Sequence, residues 1–238
     1  MRVVGNNVHH NGQLGIGGPG DGVLIEDNEI ASNNTLNFSS GFEAGGTKFV
    51  KTRDLIVRGN HVHDNLGPGL WTDGDNIDTL IEDNVVSGNR NMGIFHEISY
   101  AAVIRNNTVT GNGWYNHGWL YDAGILIAHS PDVEVYGNHV EGNFNGIAGI
   151  QQDRGIGAYG PRELRNLYVH DNVIIQHDGY AAGVAKDVDI PGGWEARNIL
   201  FDFNAYTLSG AARFTYYGDA DEAGWQSYGQ DIHGTFIR

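Results

Sequence analysis

Ile81-Glu82-Asp83-Asn84-Val85-Val86-Ser87-Gly88-Asn89 places two asparagines five residues apart around a short apolar stretch. The same phrase appears as Val3-Val4-Gly5-Asn6 with Asn11, Ile25-Glu26-Asp27-Asn28 with Asn33, and Val57-Arg58-Gly59-Asn60 with Asn65. It returns as Ile104-Arg105-Asn106-Asn107 with Asn112 and Val135-Tyr136-Gly137-Asn138 with Asn143. Weaker copies follow at Val169-His170-Asp171-Asn172 and Phe201-Asp202-Phe203-Asn204. Successive first asparagines are 22, 32, 24, 23, 31, 34 and 32 residues apart. A period in the twenties, lengthened by whole loops, is the mark of a solenoid.

Each copy carries three apolar pieces: one before the first Asn, one just after it, and one that follows a glycine. The third reads Gly69-Leu70-Trp71-Thr72-Asp73, Gly93-Ile94-Phe95-His96-Glu97, Gly124-Ile125-Leu126-Ile127-Ala128 and Gly149-Ile150-Gln151-Gln152-Asp153. Pieces this short, broken by Gly, Asn and Asp, suit strands and turns rather than helices. Three strands per repeat describe one coil, and coils stack by strand pairing about 4.8 Å apart. Asparagine suits the turns because it tolerates left-handed backbone. Its amide can also bond to the amide one coil above and below, so a buried column satisfies itself.

These phrases resemble those of the right-handed parallel β-helix superfamily, to which pectate lyases and polygalacturonases belong, and of uncharacterised bacterial β-helix-repeat proteins. The expected fold is all-β: a single-stranded right-handed parallel β-helix of about eight coils over residues 1–205, closed by an irregular capping segment over 206–238. In that segment Trp225-Gln226-Ser227-Tyr228-Gly229-Gln230-Asp231 is expected to cover the last coil with its aromatic residues. The resemblance implies a carbohydrate-active protein with a polysaccharide or oligosaccharide as partner.

Composition sets the bounds. The net charge of −15 argues against a nucleic-acid partner. With no cysteine, disulfides and thiolate chemistry are excluded. Nothing approaches about 18 consecutive apolar residues, so no helical membrane span is expected. Met1-Arg2 runs directly into the first repeat without a signal peptide, so secretion is expected from class and acidity alone. An uncapped first coil would offer unpaired strand edges for end-to-end self-association.

The departures from the repeat are insertions at 34–45, 113–123 (with Trp114, Tyr115, His117, Trp119 and Tyr121), 153–163 and 187–197. Loops on a rigid scaffold are where binding residues collect.

Aligning the third strands on their glycines turns Leu70, Thr72, Ile94 and His96 inward, and Trp71, Asp73, Phe95 and Glu97 outward. Asp73 and Glu97 then oppose each other on neighbouring coils about 5 Å apart. Like charges so placed repel, so a shared proton, a metal ion or a nearby cation must compensate them. The same alignment gives Asp153 and Asp187 the Asp73 register. Lys48 falls one coil before Trp71, and Asp75, Asn76 and Asp78 complete the densest acidic cluster.

Paired carboxyls beside an indole suit glycosidic cleavage: one holds a proton near neutral pH and the other attacks or activates water. A separation of about 5–5.5 Å goes with retention and about 6.5–9.5 Å with inversion. Asp73 and Glu97 are the expected catalytic pair, with Asp75 as alternate acid. Lys48, Trp71, Phe95, Glu43, Trp114, Trp119 and Tyr100 are the expected substrate contacts on an open groove. The Trp71-Thr72-Asp73-Gly74 stretch resembles the Asn-Thr-Asp motif of polygalacturonases, with Trp in place of the leading Asn. A β-eliminating lyase is the competing expectation, with Lys48, Tyr100 or His96 as base. There Ca²⁺ is a possible cofactor on Asp73, Asp75, Asn76 and Asp78, whose hard oxygens suit it. A non-catalytic glycan-binding or structural rod is the third. The histidine columns His9/His63 and His61/His139 read as surface rows.

Overall fold

The computed structural model describes residues 1–115 and 118–238; His117 of the third-sheet insertion lies outside the described residues. Among the described residues the chain winds a right-handed parallel β-helix with three long sheets. The first has eight strands from Arg2–Val4 to Ile199–Asp202. The second has nine, from Asn7–His9 to Thr235–Ile237. The third also has nine, beginning at Leu14–Asp21 and closed by the antiparallel strand Asp219–Ala220. Each strand's neighbours within a sheet come from the coils before and after it.

The core is built from columns of matched register. Ile25, Val57, Ile81, Ile104, Val135, Val169 and Phe201 line one wall and Ile30, Val62, Val86, Val109, Val140, Ile174 and Tyr206 another, all buried.

Both asparagine columns form as continuous ladders. In the first, each side-chain N–H₂ donates to the Oδ1 of the next rung, from Asn6 through Asn28, Asn60, Asn84, Asn107, Asn138 and Asn172 to Asn204. That Oδ1 also accepts the backbone N–H of the preceding rung, as Asn84 Oδ1 does from Asn60 at 3.0 Å. The second runs from Asn11 to Asn143 in the same sense.

The left-handed position is not the ladder asparagine, as the sequence suggested, but the residue before it. Gly5, Asp27, Gly59, Asp83, Asn106, Gly137 and Asp171 all have φ between 52° and 66°. This explains the small or turn-forming residue before these asparagines; before Asn204 the same position is held by Phe203, at φ 59°. The asparagine itself is selected for its amide.

A one-way ladder must end on an acceptor, and Asp231 supplies it. Its buried carboxylate accepts the Asn204 backbone and side-chain N–H, the Tyr206 hydroxyl and the Trp225 indole N–H, at 3.1, 2.8, 2.7 and 2.8 Å. Trp225, on the helix Glu222–Ser227, is fully buried against Phe201 and Phe214. The aromatic residues of this segment therefore cover the last coil.

In the third sheet Leu70, Ile94, Ile125 and Ile147 share a register. The sixth-coil glycine in register with Gly69, Gly93 and Gly124 is therefore Gly146, near the start of its strand, not Gly149. The Asp73 register passes through Glu97, Ala128, Ile150 and Ala185. Asp153 and Asp187 lie beyond it, because Gly149 sits inside its strand rather than at its start.

Candidate active site

The outer face of the third sheet carries the expected pair: Glu97 lies directly opposite Asp73, and Phe95 opposite Trp71. The Trp71 and Phe95 rings stack at 5.5 Å and 17°. They do not form an open platform. Met92, Leu120, Ala123 and Leu126 gather with them into a second apolar cluster outside the coil, leaving Trp71 and Phe95 only 3 % exposed. The insertions fold over the sheet and dry it. Apolar Met92 and Leu120 within turn segments were the sequence signal for this cover.

The like-charge pair is compensated by cations. Lys48 Nζ lies 2.8 Å from Asp73, 4.0 Å from the centre of the Trp71 ring, and donates to the Phe42 carbonyl. Arg154 contacts Glu97 at 2.9 Å, and Arg162 contacts Asp75 at 2.9 Å. Both arginines come from the 153–163 insertion, where Ile156–Gly157 and Gly160–Pro161 pair as a short antiparallel hairpin. The hairpin reaches back over the Asp73 and Glu97 coils. Its Ala158 N–H donates to Asp75 at 3.2 Å and its Gly160 carbonyl accepts from Tyr100 at 2.7 Å. It approaches so closely at Gly157 that a Cβ there would lie 2.3 Å from Asp75 Oδ1 and the Tyr100 hydroxyl. The sequence reading missed both arginines, which are 57 and 87 residues from their partners.

Burial and the Asp73 charge push the Glu97 carboxyl above its usual range, while Arg154 acts the other way. Asp73 Oδ1 is buried without a hydrogen-bond partner among the described residues. Glu97 lines a recess of about 330 Å³ with Trp71, Phe95, Met92, Asn91 and Tyr121. Tyr121 is raised above the usual phenol range by burial and by Glu97, and its hydroxyl bonds Gln152 at 3.1 Å.

Other expected residues fall elsewhere. Glu43 is exposed on its loop and does not line the recess. Trp114 is exposed, with its indole N–H on the Gly88 carbonyl at 3.2 Å, and lines a separate recess with Phe144 and His177. Trp119 is exposed beside Tyr121, their rings 6.1 Å apart.

Tyr100 is 4 % exposed, its hydroxyl engaged by the hairpin. His96 is fully buried within the coil against Thr72, and burial pulls its pKa down to about 3. It cannot reach a substrate.

The four proposed Ca²⁺ ligands do not converge either. Asn76 is buried in a third turn ladder, accepting from Thr52 and donating to Ser99. Asp78 lines a groove on the first sheet.

No curated protein matches the chain by sequence. Among solved structures, the A-module of the Azotobacter vinelandii mannuronan C-5 epimerase AlgE6 superposes with a TM-score of 0.56 at 14 % identity, covering 100 % of this chain and 58 % of that one. The Dettilon tailspike protein (gp208) gives 0.51 at 16 % identity, covering 89 % and 41 %. The chain thus spans less than two thirds of either, and the likeness is one of fold. The family described as right handed beta helix region matches residues 1–140, and the chain belongs to that family.

Proposed function

We propose that this chain cleaves glycosidic bonds of a polysaccharide or oligosaccharide in the recess over the third sheet. Glu97 is the proton donor and Asp73 its partner on the next rung. The observation that carries this reading is the raised Glu97 carboxyl, opposite a second carboxylate and opening into an aromatic-walled recess of ligand size. Lys48 holds Asp73 in place, and Trp71 and Phe95 form the recess wall. Asp75, held by Arg162 and the hairpin, is a positioning residue rather than an alternate acid.

Hydrolysis is favoured over elimination because the expected bases are engaged or buried. Lys48 is clamped by Asp73, Tyr100 by Gly160, and His96 lies in the core. Tyr121 borders the recess, but its raised pKa opposes service as a base. That the fold is shared with a module of a mannuronan epimerase supports a polysaccharide as substrate. Such a substrate fits the extracytoplasmic location expected from class and acidity.

A product screen of wild type and Glu97→Gln over a polysaccharide panel tests the reading. Expected are saturated products from wild type, none from the variant, and melting temperatures within a few degrees. Unsaturated, ultraviolet-absorbing products would replace hydrolysis by elimination. Binding without product, or wild-type turnover by Glu97→Gln, would overturn the site.

A further inference from the structure

Glu29, His61 and His63 present their donor atoms together on the outer face of the second sheet, away from the third-sheet recess. Glu29 is opposite His61 in register, and His63 follows on the same face two residues later. One ligand atom from each lies within 4.8 Å of the other two. The imidazole rings of His61 and His63 are 4.1 Å apart, centre to centre.

The bonding of His63 shows what the cluster is suited to hold. Its Nδ1 lies 2.8 Å from the Asp64 carboxylate, and its Nε2 lies 3.3 Å from Glu29 Oε1. With the Nδ1 N–H donating to Asp64, Nε2 can serve as a ligand atom facing Glu29, and Asp64 supplies the outer contact. A carboxylate that takes the far N–H of a histidine is the usual outer partner of a metal-bound imidazole. The gap from Glu29 to His63 already equals the ligand-to-ligand edge of about 3.3 Å expected for tetrahedral zinc with 2.0–2.1 Å bonds.

The geometry points to a divalent zinc site formed by Glu29, His61 and His63, with Asp64 orienting His63 and a solvent water taking the fourth position. Two imidazoles and one carboxylate suit zinc rather than calcium. Because Glu29 belongs to one coil and both histidines to the next, the bound ion clips adjacent coils together.

The chain contains its own control. His170 has the same bracing, with Nδ1 on Asp171 at 2.7 Å and Nε2 on Glu134 at 3.1 Å. There the neighbouring rings are Tyr136 and Tyr168 rather than a second histidine. A braced histidine with one carboxylate should bind metal weakly.

Calorimetric titration of ZnCl₂ into the tag-free, chelator-treated full chain tests the site, beside His61→Ala, Glu29→Gln and His170→Ala. Expected is one zinc per chain with micromolar affinity. The affinity should fall about tenfold or more in the first two variants and hold in the third. Cobalt substituted for zinc should show the visible bands of a four-coordinate ion in wild type and His170→Ala alone. Zinc should raise the melting temperature of wild type but not of His61→Ala. Uptake only at millimolar zinc, or uptake indifferent to His61→Ala and Glu29→Gln, would overturn the proposal and leave His63 a surface histidine bonded to two carboxylates.

Discussion

Replacing Asn84 by leucine removes one rung from the middle of the first ladder while nearly conserving volume. The Asn84 side chain accepts from the Asn60 backbone N–H at 3.0 Å and the Asn60 amide at 2.9 Å. It donates to Asn107 Oδ1, the Val57 carbonyl and the Glu82 carbonyl, each at 2.9 Å. Several of these partners keep a second bond: Asn60 Nδ2 retains the Ile25 and Arg58 carbonyls, and Asn107 Oδ1 retains the Asn84 backbone N–H. The Asn60 N–H does not, and becomes a buried donor with no acceptor. One such orphan costs about 1–3 kcal/mol, and the remaining bonds lost add about 1–2 kcal/mol net, so Asn84→Leu should destabilise by about 3 kcal/mol. For a chain of this size that is roughly a 6–12 °C drop in melting temperature.

Asn6→Leu is the control, because Asn6 is exposed and starts the ladder. It donates to Val4 and Asn28, and Asn28 Oδ1 keeps the Asn6 backbone N–H. Its cost should stay below about 1 kcal/mol. Equilibrium urea unfolding followed by circular dichroism compares the two. If Asn84→Leu lies within experimental error of Asn6→Leu, the ladder does not contribute as its bonding implies.

Two further outcomes follow from charges placed in or beside the coil. If protonated Glu97 is the working acid, activity falls as pH rises through its pKa. Asp73→Asn removes a charge that raises it and should lower the Glu97 pKa; Arg154→Met removes one that lowers it and should raise that pKa. NMR titration of the Glu97 carboxyl reads both variants without requiring turnover, and shifts in the same direction would refute the electrostatic account. Separately, His96 falls from 6.5 to about 3 in the folded chain, so its stabilising effect is complete above its unfolded pKa and is lost as pH falls below that value. The loss should be about 1.4 kcal/mol per pH unit; urea midpoints for His96→Gln should show a shallower acid slope, and an unchanged slope would count against the buried neutral ring.

The coil was legible in the sequence because each of its determinants is local and repeated. A turn former, an asparagine and an apolar residue recur at fixed offsets, and any single failure is outvoted by other copies. Register was legible only where the phrase was intact. In the sixth coil two glycines stand three residues apart, Gly146 and Gly149, and choosing the wrong one displaced Asp153 into the Asp73 column. The inner and outer faces of the third sheet were also readable from period two. What period two does not encode is whether an outward residue meets water. Trp71 and Phe95 point out of the coil and are nevertheless buried, because Met92 and Leu120 arrive from turns whose paths no periodicity fixes.

The same distinction explains the candidate site. Opposed carboxylates on neighbouring strands are a local conflict, and the sequence shows the conflict without its resolution. Lys48, one rung away, was visible as a partner; Arg154 and Arg162 were not, since a hairpin several coils later brings them back. That separation has a functional consequence. The strand register sets Asp73 opposite Glu97, whereas the protonation of Glu97 depends on its burial, on Asp73 and on Arg154. Position is thus set by the repeat, and the insertion contributes one of the charges that set acidity. Change in the hairpin can retune the chemistry without disturbing the rod that carries it.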